Sequence, residues 1–184
     1  MCIRDSIYIK YSNPFKKAPA PTEKTADTSP IVNTPTIITS HKSEEVETQL
    51  QYAEAYLRNK EIEPALLIYK NLVKKEVPEA MFQYGNLALQ NLNKNIGCDE
   101  GIGYVIKAAD AGYIQAKTTL GFLYSFAGDD DMLRQNGYDR CGVVRDITKG
   151  SKLLMEAMIG GDSTASLLLN ELNANAADST AAQQ

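Results

Sequence analysis

Apolar and polar residues alternate along this chain with a helical period, and the alternation returns. Ala80, Tyr84, Leu87 and Ala88 fall at i, i+4, i+7 and i+8, the spacing of one face of a 3.6-residue helix. A second stripe follows at Ile102, Val105, Ile106 and Ala109. The pair of stripes then recurs. Ala80 and Ala116 lie 36 positions apart, as do Gly85 and Gly121, so YGNLAL faces LGFLYS. KAADAGYIQA comes back as EAMIGGDSTA at an offset of 49, carrying Gly112 onto Gly161 and Ala116 onto Ala165. The 13 extra positions are an insertion between Tyr124 and Asp146. Two amphipathic segments per period of roughly 34 to 40 residues predict an all-α, right-handed solenoid of antiparallel helix pairs, about three pairs plus a capping helix.

The flanking pattern completes the stack. A helix is expected to start at Ser43-Glu44-Glu45, with Val46, Leu50, Ala53 and Leu57 on its inner face. Pro64 suits the first turn of the next helix, whose stripe is Ile62, Ala65, Leu66, Tyr69, Leu72 and Val73, and Pro78 prevents its continuation. The end of that helix, from Asn71 to Glu76, aligns with Lys107 to Gly112 at the same offset of 36. Asp99 is read as the cap of a helix over 101–111. Asp146 is read as the cap of the next, which turns Leu153, Leu154, Ala157 and Met158 inward. Ala165, Leu168, Leu169 and Leu172 close the stack. Gly85 and Gly121, each costing about 1 kcal/mol inside a helix relative to alanine, mark places where another helix approaches closely. Gly112 and Gly160-Gly161 supply helix ends. Residues 43–173 are thus the repeat domain, and 174–184 read as a disordered tail.

Particular motifs carry a family likeness. Gly142-Val143-Val144-Arg145-Asp146-Ile147-Thr148-Lys149 and Lys107-Ala108-Ala109-Asp110-Ala111-Gly112 match the middle and the end of the Sel-one-like repeat, a relative of the tetratricopeptide repeat, and the chain resembles that family from about Leu50 to Leu172. The first copy lacks the Gly-Val-x-x-Asp start, Gly150 stands where alanine is usual, and the insertion around Asp129 to Arg140 is foreign to the family. The resemblance implies a solenoid of helix pairs, and the residues of the repeats themselves point to no catalytic group and no cofactor.

Composition changes the picture mainly at the N-terminus. Residues 1–6, MCIRDS, resemble translated adapter sequence, so the chain is expected to begin with a false start that has replaced its natural beginning. Residues 11–42 are rich in proline, threonine and serine without helical periodicity, which reads as a disordered tether. A membrane tether through a missing N-terminus fits that arrangement, leaving the compartment, envelope or cytoplasm, open. A net charge of −4 without a basic stripe argues against nucleic-acid binding. No apolar run reaches the about 18 residues of a membrane-spanning helix.

Reactive chemistry is sparse. The one histidine, His41, falls in the tether, so the repeat domain has no histidine base for a Ser-His-Asp or Cys-His arrangement and none for a zinc site. The glycines are spaced singly and form no phosphate-cradling motif. Asp129, Asp130 and Asp131 are contiguous and lack the alternation that lets carboxylates converge on calcium, so they read as a solvated loop and not a metal site. Cys98 and Cys141 both precede the second helix of consecutive repeats, which permits pairing in an oxidising compartment. At the offset of 49, however, Cys98 aligns with Ile147. Cysteine-rich members of the family bridge their helices through closely spaced cysteines, a spacing not seen here, so inert thiols are the favoured reading.

A solenoid without reactive groups has its concave surface to offer. There Gln83, Asn86 and Gln90 correspond at the offset of 36 to Thr119, Phe122 and Phe126. The amides suit a peptide backbone and the phenylalanines suit apolar anchoring, which predicts a noncatalytic scaffold for a protein or peptide partner. The bland alternative is a solvated face whose phenylalanines are covered by the insertion. A second functional reading is a docking or regulatory module of a membrane-anchored or signalling enzyme whose upstream domain is missing. A third is a secreted hydrolase, as some cysteine-rich relatives are described.

Overall fold

The computed structural model describes residues 37–138 and 141–181, with side chains for 43–138 and 141–174. The chain divides at Glu45 and Val46 into two units. Of the first, only 37–45 are described, as the opening turns of a helix. The fragment 1–6 and nearly all of the proline-rich stretch lie outside the described residues.

The described residues form helices α1 (Ile37–Arg58), α2 (Ile62–Val73), α3 (Pro78–Leu89), α4 (Cys98–Asp110), α5 (Ile114–Phe126), α6 (Asp130–Gln135), α7 (Ile147–Ile159) and α8 (Ser163–Ala181), and no strand. α3 packs along α4 and α5 along α7. Contacts of α2 with α3, α4 with α5, and α7 with α8 pass the stack from one pair to the next. The insertion contributes α6 between the two members of the third pair.

The predicted stripes are the core. Leu50, Ala53, Ala65, Leu66, Tyr69, Leu72, Ala80, Tyr84 and Leu87 make one cluster, and a larger one runs from Leu89 and Val105 through Ala116 and Leu120 to Leu154, Ala165 and Leu172. Met158 departs from its expected place and is 41% exposed, because Leu154 and Ala157 already fill the inner line of α7.

Two glycine pairs set the distance inside the repeats. A Cβ on Gly85 of α3 would lie 2.5 Å from the Gly101 carbonyl oxygen of α4, and one on Gly121 of α5 would lie 2.7 Å from Leu154 Cγ and 3.1 Å from the Gly150 oxygen of α7. Gly101 and Gly150 are themselves 49 positions apart, so the glycine at 150 belongs to the repeat and admits Ser125.

Helix ends follow a common rule. Residues with left-handed φ follow α1 to α4 at Lys60, Glu76, Asn91 and Gly112, and α5, α6 and α7 at Gly128, Gly137 and Gly161. Such a residue lets the chain turn while its amide satisfies a last-turn carbonyl, as Gly112 N does with Ala109 O at 2.9 Å.

Several boundaries correct the sequence reading. α1 reaches back to Ile37 instead of starting at Ser43, since a helix anchored by Leu50 and Ala53 extends at the gain of one hydrogen bond per residue. α4 starts at Cys98 after Gly97, leaving Asp99 in the first turn with no capping bond. Asp146 does cap α7, accepting from Lys149 N at 2.9 Å. α8 runs on to Ala181 through a segment expected to be a tail, where repeated alanines carry high helix propensity.

Candidate functional site

The six expected partner-binding residues occupy one line on α3 and one on α5. Gln83, Asn86 and Gln90 are half-buried, whereas Thr119, Phe122 and Phe126 are each only 3% exposed. The phenylalanines are therefore not an open anchor surface. Phe122 stacks on Phe126 with ring centroids 5.3 Å apart, and on Tyr138 of the insertion at 5.6 Å. Apolar rings on the outer face of α5 are removed from water by the nearest segment able to reach them, and that segment is the insertion.

Tyr138 is the centre of this arrangement. Its phenol donates to Asn86 Oδ1 at 3.2 Å, and Thr119 and Gln90 hydrogen-bond the same group. Burial pushes the Tyr138 pKa above its ordinary value, and the bonds to Thr119 and Gln90 oppose that shift. Five of the six expected residues thus meet at or beside one aromatic ring. Gln83 lies one turn away along α3. Sequence reasoning did not single out Tyr138, although it is the one aromatic residue between Asp129 and Arg140.

The insertion is a built strap. The Asp129 side chain accepts from Met132 N at 2.9 Å and caps α6, Asp131 pairs with Arg134 at 2.7 Å, and Leu133 is buried against the larger core cluster. A short helix therefore replaces part of the expected loop. Asp129 thus serves as cap and Asp131 as ion-pair partner, and among the described residues no three His, Cys, Asp or Glu side chains converge as metal ligands. Tyr138 N closes the turn onto Leu133 O at 3.0 Å.

Beyond the strap, Cys141 forms a disulfide with Cys98 at the start of α4, their Cα atoms 5.4 Å apart. This corrects the reading of inert thiols. The repeat register misaligns the two cysteines, but the insertion displaces Cys141 from that register and carries it back over the neighbouring pair. The chain then rejoins α5 through Arg145 Nε to Ser125 O at 3.1 Å and Asp146 N to Tyr124 O at 2.9 Å.

A second polar cluster lies at the other end of the stack. Burial raises the pKa of Glu54 on α1, opposed by Arg58 and reinforced by Glu47. Burial likewise raises that of Glu79 on α3, reinforced by Glu54 and Glu47.

Stacked pairs with glycines at the α3–α4 and α5–α7 crossings, left-handed residues at the helix ends and a closing helix decide the architecture. The fold is a Sel1-like repeat solenoid. A Sel1 repeat protein from Oxalobacter formigenes has a similar structure, with a TM-score of 0.50 and 19% sequence identity over 74% of this chain and 96% of its own. That likeness is one of fold. No protein-family model and no curated protein matches the chain. Within the solenoid, the strap over α3 and α5 is where this chain departs from a plain stack of Sel1-like repeats.

Proposed function

We propose that this chain is a noncatalytic scaffold that takes a protein or peptide partner on the concave face of its first helices, along the half-buried Gln83, Asn86 and Gln90 of α3 and over Thr119, Phe122 and Phe126 of α5, which the strap covers in this structure. The observation that carries this reading is the hydrogen bond from Tyr138 to Asn86, made beside the stacked ring of Phe122. A face that holds a tyrosine from elsewhere in its own chain has the chemistry to hold a segment of another. Amides, a threonine hydroxyl and phenyl rings recognise but do not react, since none is a nucleophile paired with a base.

A photo-crosslinking residue tests the assignment of the face. Benzoylphenylalanine in place of Gln83 should capture a partner, and the same group in place of Leu67, 64% exposed on α2, should not. Capture from position 67 alone would move the interaction off the first-helix face.

A further inference from the structure

Three features of the strap go beyond its role as a cover. First, its seat is polar as well as apolar: Tyr138 reaches across two repeats to Asn86, Gln90 and Thr119 while stacking on Phe122. Second, the fit beneath it is incomplete, with a cleft between Leu133, Cys141 and Val143 of the strap side and Leu123 of α5 with Ala127 just past its end. Third, Gly128 and Gly142 flank the strap with φ of 93° and 61°, and a Cβ on either would meet nothing within 4 Å. Those glycines serve backbone conformation, not packing, as residues at a hinge do. The strap is fastened at its far end by the disulfide of Cys141 to Cys98.

We infer that the strap is a tethered occupant of the concave face, seated where a partner's tyrosine-bearing segment docks, and that opening the Cys98–Cys141 disulfide with a dithiol yields that seat to the partner. The inference rests on the scaffold reading and names the chemistry of its ligand. A tethered segment competes at an effective concentration of about millimolar, so a free segment of equal intrinsic affinity is excluded until the tether is loosened. The redox step is thiol–disulfide exchange. One thiolate of the dithiol attacks one cysteine sulfur, which breaks the Cys98–Cys141 bond, forms a mixed disulfide and releases the partner cysteine; the dithiol's second thiol then attacks its own sulfur in the mixed disulfide and releases the remaining cysteine. Two electrons and two protons pass to Cys98 and Cys141, and the dithiol leaves as a cyclic disulfide.

The probe is a fluorescein-labelled peptide with the sequence of residues 129–138, DDDMLRQNGY, followed by anisotropy. The oxidised full chain should bind it at least about tenfold more weakly than the dithiol-treated chain or the Cys98→Ser, Tyr138→Ala double variant. Adding Asn86→Ala and Gln90→Ala to that variant should abolish binding, as should replacing the peptide's tyrosine by alanine. Circular dichroism establishes that each variant keeps its helices. In parallel, dithiol should speed amide exchange at Leu133 and Tyr138 without changing that of Val105 or Leu154. Opened, helical chains that fail to bind the peptide would overturn the inference, as would binding indifferent to its tyrosine or a strap whose exchange ignores the dithiol. Capture from position 83 together with no peptide binding would leave the scaffold in place and discard the tethered occupant.

Discussion

Gly121 and Gly150 meet where α5 crosses α7, with room between them for no side chain: a Cβ on Gly150 would lie 2.9 Å from the Gly121 carbonyl oxygen and 2.8 Å from Ser125 N. Gly85 and Gly101 repeat the contact in the preceding pair. Alanine normally gains about 1 kcal/mol over glycine in a helix. At these crossings it must instead push backbone away, which costs about 1–3 kcal/mol as overpacking. Gly85→Ala and Gly121→Ala should therefore lower the urea midpoint. Gly103→Ala, on the same helix as Gly101 but with open space around its Cβ position, should raise stability by about 0.5–1 kcal/mol.

Glu76 holds the left-handed position after α2 that Gly112 and Gly161 hold after α4 and α7, with φ of 56° against 89° and 95°. A residue with a Cβ pays about 1–2 kcal/mol for that conformation, partly offset by the lower entropy of its unfolded chain. Glu76→Gly is expected to stabilise the chain by about 0.5–1 kcal/mol, and Gly112→Ala to destabilise it by a similar amount, both read from thermal unfolding.

Glu54 and Glu79 supply a pH dependence. Burial raises both folded-state values above the ordinary 4.5, so the folded chain binds more protons than the unfolded one just above that pH. Their contribution is most favourable below about pH 4.5 and is lost as the pH climbs through the raised values. The double variant Glu54→Gln, Glu79→Gln should therefore gain urea resistance over wild type as the pH is raised from 4.5 to neutrality. A constant difference across that range would contradict the assignment.

The disulfide closes a loop of 43 residues. On chain-entropy grounds a loop of that length contributes up to about 4 kcal/mol, within the usual range for removing a native bridge. Cys98→Ser should lower the unfolding midpoint accordingly while circular dichroism at 20 °C retains the helical spectrum. Intact mass with and without alkylation reports whether the bridge is present.

Much of the fold was legible in particular residues. The stripe Ala80, Tyr84, Leu87 and Ala88 and its echo at Ala116, Leu120 and Leu123 are buried as their spacing predicts. Gly112 and Gly161 end their helices with left-handed φ. Met158 and Asp99 were misplaced because periodicity and cap preference give a face or an end only to within a residue or two. The candidate site was half legible. Asn86, Gln90, Thr119 and Phe122 came from the repeat offset, but Tyr138 lies in the one segment with no counterpart elsewhere in the chain, and no offset points to it.

By itself, the sequence determined that this chain is a stack of helix pairs, because helical spacing and recurrence are local properties repeated at fixed intervals. Where the inserted segment goes was decided only in three dimensions. Tyr138 finds Asn86 across 52 residues and Cys141 finds Cys98 across 43, contacts set by the packing of one pair on the next and carried by no period along the chain.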